Sequence, residues 1–195
     1  MARVYRLSGV ERFYRDHLGL AAGEITVDSS ELPALRLLLH DTAEHGSPWT
    51  AVTSGMSARR MNLPAAAVDR PCRAELVSYL PARTHEFTWW LGWLAEFPFI
   101  DDTWLGHGHT VYSQQPLFSG SALQHFLILP PLVRTHRDME SEVNVEGDSV
   151  ALWWVVPITD AEREFKRSNG LDALLDLFDS TGLPMVVDPA RRSVA

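Results

Sequence analysis

Apolar positions along this chain change period several times, and each change marks an element. Val10, Phe13, Tyr14 and Leu18 recur at helical spacing, and Ser8 with Glu11 three residues later makes a capping box, which predicts a short amphipathic helix ending at Gly19. The runs LRLLLH at 35–40 and WTAVTS at 49–54 are β-like and are separated by polar residues with Gly46 and Pro48, so neighbouring strands, with a hairpin between them, are expected. In RAELVSYLP at 73–81, Glu75, Val77 and Tyr79 alternate with Ala74, Leu76, Ser78 and Leu80, the pattern of a strand with one well-covered face and one mixed face. Helical spacing returns with Phe87, Trp90, Leu91, Leu94 and Phe97, widened by Trp89 and Trp93, and Pro98 is expected to end that helix.

Downstream, SVALWWVVPI at 149–158 is apolar almost throughout and rich in valine and tryptophan, as a central strand buried on both faces would be. Thr159 and Glu162 repeat the capping-box pattern, and Glu162 to Lys166 is an i,i+4 pair of favourable orientation on the helix that follows. Gly170 resets the helix, and Leu171, Leu174, Leu175 and Phe178 form a last amphipathic series before Gly182 and Pro184. Strands and helices are interspersed without regular βα alternation, which predicts an α+β fold: a mixed or antiparallel sheet with helices packed on it. At 195 residues, with no long Pro, Gly or Ser tract and no internal repeat, one domain spanning 1–195 is expected.

Composition then narrows the function. A net charge of −8 argues against nucleic-acid binding, which needs a cationic surface, and fits a protein that meets a basic partner. Positive charge comes from 16 arginines and one lysine, Lys166, a bias expected of a GC-rich bacterial genome. A single cysteine, Cys72, allows no internal disulfide and no thiolate metal site of its own. No apolar run approaches the roughly 20 residues that span a bilayer, and the start MARVYRLSGVERFYRD has no apolar signal core, so a cytoplasmic chain is expected.

Chemistry-bearing residues are sparse. His107, Gly108 and His109, if extended, would place two imidazoles on one face, with Asp101 and Asp102 nearby, yet no residue has the spacing of a third metal ligand. The segment reads better as structural or interfacial, with Trp104 buried, so neither metal nor cofactor is expected. Ser54 and Ser57 raise a hydrolase reading, but TSGMS lacks the second glycine of a nucleophile elbow, and no phosphate-loop or zinc-protease motif is present. Arg59 and Arg60 can grip a carboxylate or phosphate, or form internal ion pairs. Most of the tryptophan mass should be core; Trp89 or Trp93, if exposed, becomes a candidate anchor.

One ordered set of segments carries more than any of these. TSGMSARRMNLP at 53–64, RAELVSYLP at 73–81, the aromatic helix at roughly 86–97, DDTWLGHGHT at 101–110, LILPPL at 127–132, NGLDALLDLF and LPMVVDPARRSV together resemble bacterial members of the suppressor of fused domain family, over most of the chain. The resemblance implies an α+β fold and a non-catalytic, protein-binding role. Its bacterial members are thought to serve largely as immunity proteins, which implies neutralisation of a toxin; a basic toxin domain is the expected partner. The alternative it implies is a regulatory scaffold that captures an extended peptide by β-strand addition, as the eukaryotic relative does. The expected contact set is Asp101, Asp102, Trp104, His107 and His109, with Arg59 and Arg60 secondary, and no catalytic residue.

Overall fold

The computed structural model describes residues 8–43, 49–83 and 85–195. Gly46 and Pro48, expected between two strands, lie outside the described residues. Helix α1, Gly9–Leu18, starts with the expected capping box: Ser8 Oγ accepts from the Glu11 amide and Glu11 accepts from the Ser8 amide. Strands β1 (Gly23–Thr26), β2 (Arg36–Asp41), β3 (Trp49–Ser54) and β4 (Arg73–Leu80) follow, then helix α2 (His85–Ile100) and strands β5 (Thr110–Tyr112) and β6 (Leu123–Leu129). A short helix α3 (Met139–Glu142) leads to β7 (Asn144–Val145) and the long β8 (Asp148–Thr159), and helices α4 (Asp160–Asn169) and α5 (Leu171–Thr181) close the sequence of elements.

The strands form one mixed sheet in the order β1-β2-β3-β4-β8-β6-β5, with β7 paired to β8. All neighbours are antiparallel except the central pair, β4 with β8, which runs parallel from Arg73 opposite Val150 to Val77 opposite Trp154. A parallel pair needs a long crossover, and the segment between them supplies it. β8 is the central strand its composition predicted. Pro157 is tolerated there because the β4 pairing ends at Trp154, and the Pro157 carbonyl on that side accepts from Arg191 Nη2 at 2.8 Å.

Helices cover both faces. On one, α2 contributes Phe87, Trp90, Leu91 and Leu94 against Leu37, Leu39, Leu76, Leu80, Phe126 and Val155. On the other, Phe13 and Tyr14 of α1 and Leu174 and Phe178 of α5 pack against Val52, Val77, Tyr79, Trp154 and Val156. β4 is therefore buried at every position rather than on one face, because an alternating strand at the centre of a doubly covered sheet has no solvent side. α2 also continues past Pro98 to Ile100: proline's fixed φ is helical, and the carbonyls of Phe97 and Pro98 find donors in Asp101 and Thr103. Among the described residues, no helix is long and apolar enough to cross a membrane.

Candidate functional site

Two regions of this frame concentrate polar groups, and they differ in how far those groups are used. The first is the turn after β3. Gly55 stands at φ 115°, and a Cβ there would lie 2.7 Å from the Ala34 carbonyl oxygen, so both backbone and space require glycine. The turn is gathered around Glu75 of β4, which is fully buried. Its carboxylate accepts from Thr53 Oγ1 at 2.6 Å, the Gly55 and Ser57 amides at 3.0 Å each, and Ser57 Oγ at 2.6 Å. Burial raises its pKa, and the hydroxyl and amide donors offset only part of that. Tyr14 donates to the Thr53 carbonyl from α1, its own pKa raised by burial and by the Glu75 charge.

The neighbouring Arg73 is also buried. It donates to the Ser57 and Ala58 carbonyls at 2.8 and 2.9 Å, to Asp148 at 2.7 Å and to Glu146 at 2.5 Å. Arg60 joins the same Asp148 through two bonds of 2.6 and 2.7 Å, and these two arginines, Arg60 first, hold the Asp148 pKa down to about 2. Arg59 pairs with Glu31 and lies 5.1 Å above the Phe99 ring. Ser57 thus donates its hydroxyl to a carboxylate rather than to an imidazole. The arrangement ties a turn to a strand.

Onward from Arg60, the chain runs beside the end of α2. Met61 Sδ accepts from the Leu105 amide, Asn62 donates to Asp102 at 3.0 Å, and the Asn62 amide donates to the Thr103 carbonyl. The 59–62 and 99–105 segments are brought together in this way. Asp101 and Asp102 are exposed, and Asp102 adopts a positive φ of 49° at the turn out of α2. Trp104 is half-buried with its ring edge-on to His109, centroids 4.3 Å apart, and His109 Nδ1 donates to the Trp104 carbonyl at 3.2 Å.

The two histidines do not share an extended segment. Gly108 turns at φ 79°, β5 begins only at Thr110, and His107 remains exposed while His109 folds back. Burial lowers the His109 pKa; the Trp104 carbonyl opposes this, and Lys166 and His107 add to it by charge. Among the described residues, no group of three or more His, Cys, Asp or Glu is placed to hold a metal ion.

The second region is the edge that this turn leads into. β5 pairs with β6 on one side, and among the described residues no strand pairs with the other. Ser113 donates to the Gln124 carbonyl, so the alternation of an antiparallel ladder turns Val111 toward β6 and leaves the N–H and C=O of Thr110 and Tyr112 on the open side. Tyr112 is 51% exposed, its ring tilted by 34° against that of His125 with centroids 4.9 Å apart; His125 donates to Asp160 at 3.1 Å. Burial lowers the His125 pKa, partly opposed by Asp160. Beyond the strand lies an open groove of about 440 Å³ lined by Glu86, Trp89, Trp90, Pro116 and Leu117, in which Trp89 is 54% exposed. Trp93 is half-buried, so Trp89 is the exposed member of that pair.

Sequence reasoning gave no site role to Arg73, Glu75, Asp148, Tyr112 or Lys166. Glu75 carried a signal, a carboxylate set between the apolar Ala74 and Leu76 of a strand. The expected Glu162–Lys166 pair does not form. Glu162 is buried and bonds Arg191 at 2.5 and 2.7 Å, with its pKa lowered: burial raises it, but the Arg191 and backbone donors outweigh that, and Lys166 reaches Thr110 Oγ1 at 3.2 Å instead.

The profile of the suppressor of fused protein (SUFU) family matches residues 31–192. A search of curated proteins gave no match. Among solved structures, a SUFU homologue from Neisseria gonorrhoeae is similar with a TM-score of 0.71 and 22% identity, covering 96% of this chain and 95% of that one. A Sufu–Fu complex is similar with a TM-score of 0.65 and 15% identity, over 95% of this chain and 89% of that one. Drosophila Suppressor of Fused follows with a TM-score of 0.64 and 15% identity, over 95% of this chain and 49% of that one, so this chain spans about half of the fly protein's length.

Proposed function

Because the chain belongs to the suppressor of fused family, we propose that it is a non-catalytic binding domain, acting as one unit over residues 1–195, that takes up an extended segment of a partner protein as an added strand on β5. The observation that carries this reading is the open ladder side of Thr110 and Tyr112, flanked by an exposed tyrosine and by the Trp89 groove. Backbone groups there supply affinity to any extended segment, and the side chains beside them select among segments. The Sufu–Fu complex, of the same fold, supports a protein as the partner.

The partner class we advance is a toxin deployed between competing bacterial cells, bound in the cytoplasm and blocked without chemistry. A net charge of −8 favours a basic toxin domain, whose encounter it would accelerate. Asp101, Asp102, Trp104, His107 and His109 then form the rim along the approach to β5, with Arg59 and Arg60 as outer contacts beside the end of α2.

Growth rescue tests this. Coexpression of the chain should protect cells that produce a toxin domain encoded beside it. Tyr112→Pro should remove the protection with the circular dichroism spectrum unchanged, because the N–H it deletes points away from β6. Rescue that survives Tyr112→Pro would exclude the β5 edge, and affinity capture of regulatory proteins alone would favour a scaffold over a toxin antagonist.

A further inference from the structure

The cations of α4 are unequally occupied. Arg163 pairs with Asp160 and Glu164, and Arg167 pairs with Glu164. Lys166, the chain's single lysine, makes no ion pair among the described residues; its Nζ donates to the neutral hydroxyl of Thr110, on the open strand. It is half-buried, and partial desolvation lowers its pKa, as expected of an ammonium that has lost water without gaining a carboxylate. Lysine on an edge strand or beside it commonly discourages unwanted pairing. Here it also sets a condition on wanted pairing.

An added strand would run about 4.8 Å from β5, and its side chain opposite Thr110 on the α4 face would have its Cβ about 5 Å from that of Thr110. That point is within reach of an ammonium already at Thr110 Oγ1. Two positions along, the same face presents Tyr112, its ring tilted against that of His125. The groups that face Lys166 and this strand are His107 and His109 from the preceding turn, His125 from β6, and Asp160, Arg163 and Glu164 from α4; the two acids are already engaged by arginines and His125.

We propose that Lys166 selects the captured segment by its sequence, requiring an aspartate or glutamate at the position that falls opposite Thr110, with an apolar or aromatic residue two positions away against Tyr112. The inference rests on strand addition at β5 and deepens it. Overall charge and local choice then act separately. The acidic molecule as a whole draws in a cationic partner, and one cation at the docking edge picks out the acidic residue within that partner's extended segment.

The test is a displayed library of nine-residue peptides, with valine or threonine fixed at alternate positions and the rest randomised, selected on the intact chain. Binders lost on Tyr112→Pro should carry Asp or Glu at one position. Lys166→Met should weaken them about five- to tenfold, Lys166→Arg should keep the preference, and Lys166→Glu should replace the acid with Lys or Arg on reselection. Binders that depend on Tyr112 but show no acidic position, and are unaffected by Lys166→Met, would overturn the role of Lys166 and leave strand addition standing. Finding no Tyr112-dependent binder would overturn strand addition and this inference with it.

Discussion

The turn after β3 and the edge at β5 are built from similar residues, yet the first has spent its hydrogen-bonding capacity and the second has not. At Glu75, four donors converge on one carboxylate, and Arg73 next to it is occupied by two carbonyls and two carboxylates. At β5, one side of the strand is unpaired among the described residues, a tyrosine and a tryptophan stand half in solvent, and an ammonium rests on a hydroxyl. The TSGMS turn, one of the segments that carry the family resemblance, thus has its hydrogen-bonding groups used within the fold. A motif can be distinctive because many groups must agree to hold one turn, and a binding edge can be plain because its main instrument is backbone.

Removing the centre of the saturated region should have the largest effect. Glu75→Ala would leave two amides, two hydroxyls and no acceptor in a buried site, and should cost about 3 kcal/mol or more, read as a lower urea midpoint with an unchanged slope. A loss under about 1 kcal/mol would mean the turn does not depend on that carboxylate.

Acid titration should divide the regions by sign. Burial holds the folded pKa values of His40, His109 and His125 below the ordinary 6.5 of a histidine, so the unfolded chain takes up protons first. Their contribution is complete above 6.5 and is lost as pH falls from there toward the folded values. His40 is buried beneath the end of α1; the Leu18 and Gly19 carbonyls favour its charged form, but neither ring nitrogen has a properly formed hydrogen bond and burial prevails. Glu75 acts in the opposite sense: its pKa is raised above 4.5, so its contribution is complete below that value and declines as pH rises through the folded one. The histidine share of thermal stability should therefore fall as pH drops below 6.5, and His40→Gln should reduce that loss; an unchanged loss would locate the effect at the β5 edge.

Truncating the open region should have the smallest effect on the fold. Trp89→Ala is expected to change unfolding free energy by no more than about 0.5 kcal/mol while weakening partner binding by more than about 2 kcal/mol. A large stability loss with binding intact would return Trp89 to the core.

What the sequence disclosed follows the range of the interactions involved. Both capping boxes, at Ser8–Glu11 and Thr159–Glu162, were legible because each is complete within four residues. The twice-buried β8 was legible because its neighbours on both faces demand apolar residues at every position. The burial of the polar positions of β4 was not: Glu75 on one face and Ser78 on the other look solvent-facing until distant donors such as Ser57 and distant acceptors such as Val155 are brought to them. Lys166 was assigned to Glu162 by helical spacing, but Arg191, from the far end of the chain, claims that carboxylate with two bonds. The segment at 101–109 was legible as a turn rich in polar and aromatic residues, while the edge just beyond it, open among the described residues, depends on strand order, which local periodicity does not encode.

The parallel pairing of β4 with β8 also has a consequence for synthesis. β4 is complete at Leu80, and its central partner begins only at Asp148. A ribosome must therefore translate through β8 before the middle of the sheet can close, and until then β4, paired with β3 on one side, keeps its other side waiting. Closure of the sheet thus belongs to the moments after β8 emerges.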